Sequence, residues 1–199
     1  MNILTAAKNI PNPSLQEVER YLAKWDSLEN YVLQEKALNK LFHDICPQND
    51  DISNILLKCS VLNDFYSTNI FSIFPVAKHI LDLNIDERLK NGDLSLVNDI
   101  ANVEIGGKKK YFYSFASKYC SHHNSKNFAI YDSYVEKCLV YFNKLDHFSD
   151  FYRQDLKNYN VFNKALLDFK NYYGLEKYGL KEIDEYLWQL GKDYFPNKY

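Results

Sequence analysis

The chain has 199 residues, 46% hydrophobic and 25% charged, a balance that excludes a disordered segment and suits one compact domain or two small lobes sharing a core. Lys and Arg number 24 against 26 Asp and Glu, so the formal net charge of −2 advertises no polyanion partner, and any nucleic-acid site has to be a local basic patch. Six Gly and five Pro are too few for many short strands joined by tight turns, while 17 Tyr and 13 Phe give rings a large part in packing or stacking.

Helical periodicity runs through the chain. Ser14-Leu15-Gln16-Glu17 reads as a capping box opening a helix with Leu15, Val18, Tyr21, Leu22 and Trp25 on one face. A second helix is predicted from Ser27 to His43, then a turn over Pro47–Asp51. Ile52, Ile55, Leu56, Cys59, Leu62 and Tyr66 form the next stripe, which ends at the polar Ser67-Thr68-Asn69. A helix follows from Ile73 to Leu83, with Pro75 tolerable only in its first turn. Residues 84–110 are shorter and more polar, with a turn at Asn91-Gly92-Asp93 and a short helix over Leu94–Ala101.

Gly106-Gly107 reads as a hairpin-like break followed by Lys108, Lys109 and Lys110. Phe112, Phe115, Ala116, Tyr119 and Cys120 then face inward from one helix, and Asn124–Tyr131 connects to the next. Ser133-x-x-Glu136 reads as a second capping box, opening a helix with Val135, Cys138, Leu139 and Phe142 on one side. Val161–Tyr173 and Leu180–Phe195 are the last strong helices, separated by Gly174 and Gly179. The expected fold is all-α, with about eight to ten helices and no internal repeat.

Cys46, Cys59, Cys120 and Cys138 lack C-x-x-C spacing and read as small buried thiols. The start, MNILTAAKNIPNPS, has no basic segment followed by an apolar run, and no stretch has the apolar length of a membrane span. A soluble, cytoplasmic, monomeric protein is therefore expected. Phosphate-loop, dinucleotide, zinc-protease and nucleophile-elbow motifs are missing. His43-Asp44 lacks the further upstream histidine of a metal-dependent phosphohydrolase, and the neighbours His122 and His123 diverge on a helix rather than chelate one ion. They read as surface or capping residues. Neither a metal nor a cofactor is expected.

One segment combines features that suit nucleic-acid chemistry. Gly106, Gly107 and the three lysines offer backbone N–H groups and positive charge, placed as if at a helix N-terminus, which suits a phosphate. One helix later, Ile130-Tyr131 leads into Asp132 beside a helix start, where a carboxylate could stabilise positive charge developing on a sugar or orient a water. Spacing alone equally fits Asp132 as a helix cap and the lysines as a solvated run.

Ile130-Tyr131-Asp132-Ser133-Tyr134-Val135, one helix and a short link after a glycine hairpin, resembles the helix-hairpin-helix DNA glycosylase superfamily, and within it the 8-oxoguanine DNA glycosylase branch. Tyr134 stands where a histidine is common there, and Lys137 where a basic residue often follows. Phe115–Cys120, Leu187-Trp188-Gln189-Leu190-Gly191 and, more loosely, Phe65–Ile70 resemble further segments of small bacterial relatives. The likeness spans about residues 50–195.

The resemblance implies a two-lobed helical bundle, with residues 1–46 an N-terminal extension packed on a glycosylase-like domain of residues 47–199. It implies an enzyme that flips a modified or damaged base out of double-stranded DNA, into a pocket between the lobes, and hydrolyses its glycosidic bond, in repair or in defence against phage. Asp132 is then the catalytic carboxylate. Gly106, Gly107, Lys108, Lys109, Thr68, Asn69 and Ser133 would contact DNA, with Ile70 joining Thr68 and Asn69 in filling the vacated stack, and Tyr113, Tyr134 and Trp188 would line the base pocket.

The sequence departs from the family in two places. Gly-Gly replaces Gly-x-Gly, and the amine of a bifunctional enzyme has no settled position. Lys110 lies 22 positions before Asp132, an ungapped match puts Tyr113 at the lysine position, and Lys118 is either a structural lysine or an active-site amine. Simple hydrolysis is therefore expected. A non-catalytic helical module that binds a nucleic acid or a protein remains the alternative.

Overall fold

The structure is a computed structural model that describes residues 10–195. The amino-terminal stretch read as lacking a leader lies mostly outside the described residues. The fold is predominantly α-helical: among the described residues there are ten α-helices, a π-helical turn, a 3-10 turn and one two-stranded sheet. Among the described residues they divide into two compact units, residues 30–130 and residues 10–29 with 131–195.

In the first of these units, α2 (Glu29–Asn39) runs into a π-helical turn at Lys40–Ile45, where the predicted helix to His43 changes its winding. The Cys46 N–H reaches the Leu41 carbonyl, and buried Phe42 packs edge-on to Tyr119 and His123. Next come α3 (Ile52–Tyr66) and α4 (Ile73–Leu83), which pack on each other as their apolar stripes require. The short α5 (Asp86–Asn91) went unread in the sequence because its one buried residue, Leu89, makes no periodic stripe.

After α6 (Ser95–Ala101) the chain forms an antiparallel hairpin, β1 (Asn102–Ile105) and β2 (Lys108–Tyr111), before entering α7 (Tyr113–His123). Gly106 and Gly107 are the two turn residues, at φ 58° and 73°, the positive values that a two-residue hairpin turn of this hand needs at both positions. This corrects the sequence reading. The glycine N–H groups lie at the tip of a β-hairpin, a whole strand away from the N-terminus of α7, so they form no phosphate cradle there. Val103 and Ile105 before a Gly-Gly turn favour pairing over helix extension.

In the other unit, α1 (Leu15–Asp26), α8 (Ser133–Asp146), α9 (Tyr159–Tyr172) and α10 (Leu180–Tyr194) share a core, joined by a 3-10 turn at Arg153–Lys157. Ser14 caps α1, its hydroxyl accepting from the Glu17 N–H, as the sequence indicates. Tyr21 of α1 donates to Asp193 and packs on Tyr186, while Gln189 donates to the Tyr21 carbonyl, so α10 is tied along its length to α1. All four cysteines are free and buried. Among the described residues no helix is long and apolar enough to cross a membrane.

Candidate functional site

Asp132 is the N-cap of α8. Its backbone is extended (φ −136°, ψ 150°), and Oδ1 accepts the Tyr134 N–H at 2.8 Å. The predicted capping box at Ser133 is not formed: Ser133 is the first helical residue, and Glu136 is occupied elsewhere. An aspartate one residue earlier reaches the second helical N–H directly and displaces the serine from the capping position. Ile130 and Tyr131 are buried and Asp132 is half-buried, as expected of an apolar approach to a carboxylate. The second oxygen, Oδ2, makes no hydrogen bond among the described residues.

Two expected neighbours of Asp132 share its unit. The Tyr134 ring lies under the Lys137 ammonium, 4.8 Å from its centroid, and Tyr134 packs through Cβ and its carbonyl against Gly191 of α10. Trp188, half-buried, meets Trp25 edge-on at 5.7 Å and carries Lys192 4.2 Å above its ring. Ser133 is exposed. Asp132, Ser133, Tyr134 and Trp188 thus belong to one unit, on two helices that pack together.

The other predicted residues belong to the unit of residues 30–130. Lys108, Lys109 and Lys110 are exposed on β2; Lys109 faces Glu104 across the hairpin, and Lys110 faces Val103. Tyr113 is buried and lies parallel to Tyr111, 5.6 Å between centroids, so its face is already stacked. The loop from α3 to α4 is fixed by Asn63. Its Oδ1 accepts from the Thr68 hydroxyl and the Ile70 N–H, and its Nδ2 donates to the Ile70 carbonyl. Thr68 is consumed by this staple and Ile70 is buried, which removes Ile70 as a stack-filling side chain. Asn69 is exposed at φ 59°, and Phe71 beside it is 99% exposed, a residue the sequence reading passed over.

Lys118 is buried in mid-helix. Its amine donates to the Ser114 hydroxyl at 2.7 Å and lies 5.2 Å from the Tyr66 ring centroid. Tyr66 in turn bonds His122 Nε2 at 2.9 Å. His122 and His123 lie in the interior rather than at the surface, and both rings pack on Phe42, at 5.4 and 4.9 Å between centroids. Burial, with the Lys118 charge second, pulls the His122 imidazole down to about 4. Burial likewise holds His123 well below the usual histidine range.

His123 Nε2 lies 3.2 Å from Asn49 Nδ2, an amide nitrogen that can only donate, and 3.3 Å from Lys58 Nζ, so Nε2 is the unprotonated nitrogen and the ring is neutral. Lys58 is fully buried and donates its three protons to the Cys46 and Gln48 carbonyls and to Asn49 Oδ1. Asn49 Nδ2 and its backbone N–H bind the Asp86 carboxylate, and Tyr119 donates to Asn49 Oδ1. The sequence signal for this network was a lysine on the buried stripe of α3, between Ile55 and Leu62. Among the described residues, no group of three or more His, Cys, Asp or Glu is placed to hold a metal ion.

The family model HI_0787_N, described as an N-terminal domain, matches residues 17–127. A protein of Haemophilus influenzae, named as an uncharacterized protein, is 56% identical over 146 residues, covering 73% of this chain and 70% of its own length. The chain belongs to the HI_0787_N family. No solved structure matches it.

Proposed function

We propose that the protein is a DNA glycosylase of the two-lobed helix-hairpin-helix type, which hydrolyses the N-glycosidic bond of a flipped-out modified base in double-stranded DNA. The observation that carries the reading is Asp132. One oxygen is pinned by a helix N–H, the other is open, and the residue sits at the end of an apolar approach. A carboxylate held in that way is oriented without being neutralised, as stabilisation of an oxocarbenium-like sugar or the aiming of a water requires.

In this reading the exposed lysines of β2 engage phosphates, and Asn69 with Phe71 enters the stack that the base has left. Phe71 is suited to that because an apolar side chain fully in water gains by insertion between bases, and the Asn63 staple fixes the loop that presents it. Monofunctional hydrolysis is favoured, since Lys118 is buried with its amine on the Ser114 hydroxyl and Tyr113 stands where the resemblance implies the lysine of a bifunctional enzyme.

Mass spectrometry of bases released from a panel of damaged and phage-type modified DNA tests the proposal. The wild type releases at least one base, and Asp132→Asn lowers that rate by about a hundredfold or more, in keeping with general acid–base or electrostatic assistance. Release unaffected by Asp132→Asn removes Asp132 from the chemistry. Silence of the wild type across the panel transfers the protein to the alternative, a non-catalytic binding module.

A further inference from the structure

Glu136 lies in the first turn of α8, four residues after Asp132, and is buried. A carboxylate near a helix N-terminus is favourable, but two in one turn repel, and a buried one costs free energy unless it is paired. Three groups pair it. The Tyr131 phenol donates a short hydrogen bond to Oε2, Lys157 Nζ lies 3.1 Å from the same oxygen, and Arg153 Nε lies 2.7 Å from Oε1. Lys157 also donates to the Tyr131 hydroxyl and sits over the tyrosine ring, 4.6 Å from its centroid.

Burial alone would push the Glu136 carboxyl up. The hydrogen bonds from Tyr131, Arg153 and Lys157 outweigh it and hold the group below its usual range, so Glu136 stays ionised. Glu136 is thus matched by two cations from the 3-10 turn, while Asp132 is left to the helix N–H. Tyr131 is the residue directly before Asp132, and its ring meets Phe162 edge-on at 5.2 Å. Where the backbone is extended, neighbouring side chains point to opposite sides. Tyr131 is therefore anchored on one side of the chain while Asp132 Oδ1 is tied to the Tyr134 N–H on the other.

We propose that Tyr131 and Glu136 are positioning residues for Asp132: their phenol–carboxylate latch, closed by Lys157 and Arg153, fixes the entry of the chain into α8 and so aims Oδ2. The inference rests on Asp132 being the carboxylate that faces the sugar, and it assigns neither Tyr131 nor Glu136 a contact with substrate.

Tyr131→Phe keeps the ring against Phe162 and deletes one hydroxyl; Glu136→Gln keeps the shape and deletes the charge. Both are measured in the full chain by kcat and KM for base release and by NMR exchange of the Tyr134 amide, the donor to Asp132. Expected for Tyr131→Phe are wild-type KM within twofold, kcat lower by at least fivefold, and Tyr134 amide exchange at least tenfold faster, with Glu136→Gln larger in both effects. Unchanged amide protection in folded Tyr131→Phe overturns the latch whatever the activity does, and decides the matter if Glu136→Gln fails to fold. A wild type that releases no base overturns the glycosylase reading instead, and the amide exchange still tells whether the latch holds.

Discussion

Asp132 and Glu136 begin the same helix and have opposite surroundings. The first is half-exposed with one oxygen unengaged; the second is enclosed by a phenol and two cations. Their difference comes from the backbone: Asp132, at the extended N-cap, turns back to the helix N–H, whereas Glu136, inside the helix, meets the 3-10 turn. Gly191 is the residue that lets α10 approach this helix start. A Cβ there would lie 2.6 Å from Tyr134 Cβ and 2.9 Å from the Tyr134 carbonyl oxygen, and the latter is backbone that cannot swing away. Gly191→Ala should destabilise the protein by about 1–3 kcal/mol through overpacking, read as a lower urea midpoint at unchanged m-value. A midpoint equal to that of the wild type would mean the helices separate freely at this point.

At the scale of elements, the proposed function gives the β-hairpin and the loop between α3 and α4 different interactions with nucleic acid. Three exposed lysines act through charge, and Phe71 acts through apolar surface. Replacing Lys108, Lys109 and Lys110 together by Gln should lower the slope of log affinity against log salt for non-specific duplex DNA by up to about three. Phe71→Ala should weaken binding to a duplex with a disrupted base pair while leaving that slope unchanged, because an apolar side chain releases no counterions. Fluorescence anisotropy over a salt series separates the two. Equal slopes for the lysine variant and the wild type would exclude the hairpin from the phosphate contacts. The same loop shows why Ile70 misled: its side chain has the right chemistry for a wedge, but the bonds to Asn63 turn its backbone inward and give the exposed place to Phe71.

Across the whole molecule, buried ionisable groups set the pH dependence of stability. His122, pulled down by burial to about 4, binds its proton in the unfolded chain near pH 6.5 but in the folded one only well below that. Its contribution is fully present above about pH 6.5 and is lost as the pH falls through 4, about 3 kcal/mol in all, and His123 acts in the same direction. Glu185 opposes them. Burial raises its carboxyl to about 7, so its contribution is present below the usual carboxylate range and is lost as the pH rises through 7. Two histidines outweigh one carboxyl, so urea midpoints should fall between pH 6.5 and 4.5, and more steeply in Glu185→Gln. A midpoint constant over that interval in Glu185→Gln, where the opposing carboxyl is gone, would place the imidazoles in water.

The sequence by itself determined the helices whose apolar stripes are long, α1, α3, α4 and α7 through α10, because a 3.6-residue repeat leaves one face nothing to do but bury. It also marked Asp132 as the residue before a helix. The hairpin in place of a phosphate cradle, Phe71 in place of Ile70, and the interior course of Lys58, His122 and His123 were decided only by the tertiary structure. The physical reason is common to all three: each outcome depends on which hydrogen-bond partner or ring is within reach, and those partners come from other turns, strands and helices. Local pattern shows that a polar group will need a partner; only the packed chain supplies which one.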